Sequence, residues 1–333
     1  MKKAILISFI ILFCSLPLFS SCGNSGDEIP EWAWGADSIK DPNTDILALG
    51  WTRVSSLGTL PDYLQVYKSP DQLEGKKAIA YIAIADMSKA TFNVLGDKSG
   101  YKTPDDFYKE ENASIIMNAG YFWDGSSLSL LCRGGQVLCP NNQIEWRSNG
   151  TVLYYPTRAA FGLMKDGTFS ADWVYTTNDA TYAYSSPSPN KSGETPQAAP
   201  SATYPTAGVK WQPQLAIGGG PVLIKNGEIK NTFVEELFDA DSGIGPEINN
   251  PRSAIGTINN KKLLFFVCEG RNMTPGVAGL TLADEAKIMK NLGCTDAINL
   301  DGGGSSCMLI NGKQTILPSD GSQRKVVTGI SLK

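Results

Sequence analysis

The 333-residue chain contains no histidine. That absence excludes Ser-His-Asp and Cys-His catalysis, the H-E-x-x-H zinc proteases and any His-ligated metal centre. General acid–base work therefore falls to carboxylates, Tyr or Lys, and charge stabilisation to Arg, Lys or backbone N–H groups. The P-loop and the dinucleotide fingerprint G-x-G-x-x-G are missing too. Past the N-terminus no Lys/Arg run exceeds a pair such as Lys261-Lys262, and the formal charge is −4. A nucleic-acid partner is excluded on that ground, because phosphate backbones demand a concentrated basic surface. Cysteine is sparse, and no spacing suits a metal.

What is present begins with a targeting pattern. Lys2 and Lys3 precede an apolar stretch from Ala4 to Phe19, too short and too broken at Pro17 for a membrane span of about 20 residues. Residues 1–21 read as a signal peptide. Ser20-Ser21-Cys22 is similar to a bacterial lipobox, which makes Cys22 the expected lipidation site. Residues 22–44 then form a polar tether. The expected setting is that of an exported bacterial lipoprotein in the periplasm, outer membrane or cell surface, held to the membrane by its lipid. The five remaining cysteines are an odd number, so at least one thiol is expected free. Cys132 and Cys139 flank the turn Arg133-Gly134-Gly135-Gln136 and face each other only if Gly135-Gln136 makes the turn.

The rest is turn-rich, with 34 Gly and 19 Pro. Asn226-Gly227 and Asn311-Gly312 predict type I′ hairpins, and Lys165–Thr168 and Ile258–Lys261 are weaker instances. Short apolar runs predict buried strands at Ala78–Ala85, Ser114–Met117, Leu263–Cys268 and Ala297–Leu300. Thr103-Pro104 and Thr281-Leu282 open helices, the second running to Asn291 or Leu292 with Leu282, Ala286 and Met289 on one face. The pattern implies an α+β fold, with mixed, hairpin-rich β-sheets and a few packed helices in a single domain over residues 45–333. Residues 178–208, dense in Pro, Ser, Ala and Thr, read as a low-complexity insertion.

Several places carry candidate chemistry. A buried strand delivers Asp301 to its tip, followed by Gly302, Gly303, Gly304, Ser305 and Ser306. Three glycines cost more chain entropy than a turn requires, so their use is close approach, with amides and hydroxyls converging on anionic or sugar oxygens. Asn118-Ala119-Gly120-Tyr121-Phe122 offers an amide for a hydroxyl and aromatics for a sugar face. Arg252 stands at the mouth of a strand, and its planar fork suits a diester phosphate. Glu269-Gly270-Arg271 places an acid and a base at another strand exit, and Arg324 is a further candidate.

In their order along the chain these segments resemble the phosphodiester glycosidase family. Asn118–Phe122, Arg252-Ser253-Ala254-Ile255-Gly256, Glu269-Gly270-Arg271 and Asn299–Ser306 carry the likeness. Ser253 stands where Thr is common in that family, and Glu269 where Asp is common. The resemblance implies hydrolysis of a sugar-1-phosphate diester, releasing N-acetylglucosamine or a related sugar from a surface or dietary glycan. Asp301 and Glu269 are then the catalytic pair. Arg252, with Arg271 and Arg324, holds the phosphate, the Gly302–Gly304 amides with Ser305 and Ser306 hold oxygens, and Asn118 and Tyr121 position the sugar. No cofactor is required, although a carboxylate with Asn299 and Asn118 offers oxygen ligands for a cation such as calcium. A monomer is expected. The rival readings are a non-catalytic glycan-binding surface lipoprotein and an exopolysaccharide-assembly factor.

Overall fold

Two-residue turns set the architecture, as seen in a computed structural model that describes residues 46–333. The expectations for the signal segment, Cys22 and the tether lie outside the described residues. Asn226 and Gly227 take φ of 51° and 73° and fold Val222–Lys225 onto Glu228–Ile229. Asn311 and Gly312 do the same between Met308–Ile310 and Lys313–Gln314. Three large sheets result, of eight, seven and five strands. Their pairings are all antiparallel, which corrects the expectation of mixed sheets. Among the described residues strand outweighs helix, 38% against 8%, so the fold there is mostly β, and the α+β class overstates its two α-helices.

The core lies where the three sheets meet. In the strand Lys262–Cys268, Leu263, Phe265 and Val267 face this shared core, while Leu264, Phe266 and Cys268 face the opposite side. A strand buried on both faces reads as an unbroken apolar run. Each fully buried Phe or Leu contributes about 1.5–3 kcal/mol. Helix α1, Pro104–Glu111, is capped by a reciprocal Thr103–Asp106 pair and packs Phe107 against Ile116 and Leu309 of the five-stranded sheet. Helix α2, Leu282–Asn291, has the same cap from Thr281 and Asp284 and lays Ala286 and Met289 on the outer face of the eight-stranded sheet. Helices here are covers, which is why so few suffice.

The polar segment at 178–208 is more ordered than its composition suggests. Thr181–Tyr184 is a strand paired with Phe169–Thr176 and with Val209–Lys210. Beyond it, the buried Ser188 and Asn190 bond to Thr157 Oγ1 and the Tyr155 carbonyl. The Ser188 amide and the Asn190 side chain anchor the excursion, so apolar periodicity is not needed there.

The Cys132–Cys139 pairing does not form. Gly134-Gly135 makes the turn and a bulge follows Leu131, so Cys132 faces Val137 and Cys139 faces Leu131. All five described cysteines are free. Alkylation of the denatured protein without reductant, read by mass spectrometry, is expected to label Cys132, Cys139, Cys268, Cys294 and Cys307. Protection of any two together would contradict this pairing register.

Candidate active site

The strand Asp296–Asn299 is buried throughout and pairs with Arg252–Ile258 in the eight-stranded sheet. At its exit the main chain is held on both sides. Leu300 N donates to Ser253 O at 2.7 Å, and Asp301 N donates to Ala119 O at 2.9 Å. The Asp301 carbonyl accepts from Asn118 Nδ2 at 2.7 Å. Its carboxyl lines a cavity of about 700 Å³ together with Gly302, Gly303, Arg252, Arg271 and Arg324. Burial raises the Asp301 pKa to about 6, against the opposing pull of Ser305, Arg324, the Gly302 amide and Arg271. A carboxyl so placed exchanges a proton near neutral pH.

The glycine triplet makes room for arginines. Gly303 has φ +59°, and a Cβ there would stand 2.7 Å from Arg271 Nη2. A Cβ on Gly304 would stand 2.1 Å from Arg324 Nη2 and 2.2 Å from Asp320 Oδ2. Close approach was therefore the right physical reading, but the guests include the protein's own guanidinium groups. The amides are partly committed, since Gly303 N donates to Pro251 O at 2.9 Å. Gly304, Ser305 and Ser306 are buried and do not line the cavity.

Arg324 donates through Nε to Asp320 Oδ2 at 2.8 Å and through Nη1 to Ser305 Oγ at 3.4 Å. Arg271 stands 3.8 Å from Asp320 Oδ1 and reaches Asn250 and Ser319 with bonds of 3.4 Å. Two half-exposed guanidinium groups thus share one carboxylate, leaving a positive surplus beside Asp301. The contacts at 3.4–3.8 Å yield readily to an incoming phosphate, which offers stronger charge-assisted partners, while Arg324 keeps its 2.8 Å bond to Asp320.

The other sequence candidates have different work. Arg252 is buried and donates to the carbonyls of Leu280, Ile244, Gly245 and Ile248. Its fork holds the loop carrying Ser242, Gly243 and Ile244, which line the cavity, so its bonds are structural although the residue itself reaches the wall. Asn118 is also buried. Besides its bond to Asp301, its Oδ1 accepts from Ser253 Oγ at 2.9 Å and Cys307 N at 3.0 Å, so it positions Asp301 and has no oxygen to spare for a cation. Tyr121 lines the cavity with its ring 5.2 Å from Phe238, but its hydroxyl donates to Gly220 O and accepts from Asn299 Nδ2, both at 2.7 Å. Burial, with the Asp301 charge next, holds its phenol well above the usual range. Glu269 does not line the cavity. It is buried, one oxygen accepts from Leu317 N at 2.9 Å, and the other has no protein partner among the described residues. Glu269 and Asp301 therefore do not form a carboxylate pair across the cavity. Among the described residues no cluster of three or more Cys, Asp or Glu side chains suited to a metal occurs.

Sequence reasoning missed a second group on the same wall. Arg147 is bidentate to Asp239 at 3.2 Å, and Glu145 bridges Arg147 and Arg158. Arg158 lies 4.4 Å over the Phe238 ring. Asp320, which joins Arg271 to Arg324, was missed as well. Its only signal was a spacing of four residues before Arg324 in a segment with no helical pattern.

The phosphodiester glycosidase family model matches residues 111–333. A prophage-derived uncharacterized protein of Bacillus subtilis is 34% identical over 85 residues, which is 26% of this chain and 13% of that protein. The catalytic domain of zebrafish N-acetylglucosamine-1-phosphodiester alpha-N-acetylglucosaminidase, auto-inhibited by its pro-peptide, superposes with a TM-score of 0.54 at 20% identity, covering 84% of this chain and 86% of that one. A hypothetical protein from Synechocystis gives a TM-score of 0.55 at 17% identity, covering 81% of this chain and 62% of that one. At these identities the two structures speak for the fold. The family match takes in the Asn118 clasp, the Arg252 strand and the Asp301 turn, and with it the chain belongs to the phosphodiester glycosidase family.

Proposed function

We propose that this protein hydrolyses a sugar-1-phosphate diester, with Asp301 as the proton acceptor for the attacking water. The observation that carries the reading is a half-buried carboxyl of raised pKa at the head of a turn that seats Arg271 and Arg324. Water adds to the anomeric carbon, the bond from that carbon to the phosphate oxygen breaks, and the phosphate leaves with the electron pair. The water proton passes to Asp301. A phosphate monoester is already a stable anion, so its departure needs a positive surface more than a proton donor, and Arg271 and Arg324 provide it. That explains how one carboxylate can serve without Glu269, unlike the two-carboxylate pattern of ordinary glycosidases. The zebrafish relative's name supports N-acetylglucosamine as the first sugar to test. The N-terminal pattern supports an exported lipoprotein anchored through Cys22, with the substrate in a glycan outside the cytoplasm.

Purified protein is expected to release sugar from methyl phosphodiesters of α-N-acetylglucosamine, α-glucose or α-galactose 1-phosphate. Asp301→Ala should lower kcat at least about 1,000-fold with KM changed less than threefold. Arg324→Ala should lower kcat/KM about 100-fold, and Glu269→Gln should stay within tenfold of the parent. Release by Asp301→Ala at the parental rate would remove the carboxylate from the mechanism. No release from any of the three diesters would favour a glycan-binding role.

The raised pKa carries two signs. The base must be ionised, so kcat is expected to rise as pH climbs through about 6 and to level off above it. In folding, a carboxyl that binds its proton more tightly in the native state loses stability as pH rises from about 4 to about 6. Asp301→Asn, which mimics the protonated form, is expected to be more stable than the parent above pH 6, on the order of 1–3 kcal/mol. Urea unfolding at pH 4, 5, 6 and 8 checks this, and a gap that does not widen between pH 4 and 6 would refute the assignment.

A further inference from the structure

The cavity extends well past the acid and its arginines, onto a surface that hydrolysis of the diester leaves unused. Phe122–Trp123 and Ser126–Ser127 form a short hairpin. Asp124 and Gly125 close it, both at positive φ (43° and 71°), as a tight type I′ turn requires. The turn is bolted to the neighbouring segment. Gly100 N donates to Gly125 O at 2.8 Å, Ser127 N donates to Lys98 O at 2.9 Å, and Ser99 bridges to Ser126. On this rigid mount Trp123 is 77% exposed, more than any other large hydrophobic side chain described, and Tyr101, which also lines the cavity, is 49% exposed. Phe122 fixes Tyr101 edge-on at 6.0 Å.

All three rings line the cavity that holds Asp301. An indole held in water on a braced turn loses hydrophobic stabilisation, and a large aromatic exposed at the mouth of a cavity marks a binding surface. Polar groups on the same wall complete the set. Asp124 presents a carboxylate acceptor, and Asn142, whose Nδ2 donates to Glu145 at 3.0 Å, keeps its carbonyl oxygen for another donor. A flat apolar face bordered by acceptors matches a pyranose ring, whose C–H face is apolar and whose edge carries hydroxyl donors. At about 700 Å³ the cavity has the size of sites that enclose drug-sized ligands, which are larger than a single sugar phosphate.

We infer that Trp123, with Tyr101, is the stacking platform for a sugar ring one or more residues removed from the scissile bond, so that the substrate is an oligosaccharide phosphodiester. The inference rests on the proposed hydrolysis for its kinetic meaning. Its binding test does not depend on that reading.

Two pairs of substrates separate the sources of the extra ring. The methyl diester of N-acetylglucosamine 1-phosphate is compared with the diester to mannotriose, which extends the leaving side, and with the methyl diester of chitobiose 1-phosphate, which extends the other. For one extended substrate kcat/KM should exceed that of the short diester, and Trp123→Ala should cut that advantage about tenfold, mainly through KM. Trp123→Phe should restore most of it. Equal kcat/KM for short and extended diesters, or an advantage untouched by Trp123→Ala, would overturn the inference while leaving hydrolysis intact. Calorimetry with neutral chitotriose and mannotriose is the independent arm. Binding of one by the full chain, lost in Trp123→Ala at an unchanged melting temperature, supports the platform even if no diester is cleaved. Absence of binding to both would overturn the platform even if diesters are cleaved.

Discussion

One carboxamide holds the candidate active site together. Asn118 ends the strand Ile115–Asn118 of the five-stranded sheet, and its three bonds reach Ser253 on the eight-stranded sheet, the carbonyl of Asp301, and Cys307 at the head of the next strand. Each such bond contributes about 1 kcal/mol, but leaving its buried partners unpaired costs about 1–3 kcal/mol apiece. The larger consequence is positional. The acid is fixed through its main chain, its carboxyl is met by Ser305 and the Gly302 amide at the cavity wall, and the point of fixation is the seam where two sheets meet. Everything catalytic that is argued for Asp301 assumes this clasp.

Charge around the cavity is distributed with economy. Arg147, Arg158, Glu145 and Asp239 neutralise one another in a largely buried lattice, and Arg252 is consumed by carbonyls. Only Arg271 and Arg324 remain half-exposed over a shared acid. A substrate anion therefore meets a positive surface in one place, next to the half-buried carboxyl. Buried guanidinium groups shape the walls and exposed ones do the recognising, a division of labour set by how many main-chain acceptors lie within reach of each.

Much of this was legible in the chain. The hairpin turns, both helix caps and the buried strands declare themselves through local chemistry: positive-φ residues, Thr-x-x-Asp boxes and unbroken apolar runs. The strand-to-turn geometry at Asp301 and the need for close approach at the glycines could also be read. The roles of Arg252 and Asn118 could not, because whether a polar side chain serves a ligand or a distant carbonyl depends on partners such as Leu280 and Asp301 that only the folded chain brings near. Arg147 and Asp239 lie 92 positions apart, and Arg147 sits on a three-residue strand that carries little periodic signal. The seven-stranded sheet was the hardest part, since it recruits a strand from a Ser- and Pro-rich stretch whose stability comes from hydrogen bonds made elsewhere.

The pairing order of the sheets also constrains how the chain acquires its shape. Ala80–Asp86 lies against Lys262–Cys268, and Phe92 must wait for Leu332, whose strand lies between Phe92–Gly96 and Ile115–Asn118 in the five-stranded sheet. Contacts between such remote segments close large loops and form slowly. During synthesis Ala80–Asp86 can pair with Leu64–Lys68 early, but its other edge has no partner until Lys262–Cys268 is made. The five-stranded sheet closes last of all, because Thr328–Leu332, near the end of this sequence, supplies the strand that joins Phe92–Gly96 to Ile115–Asn118.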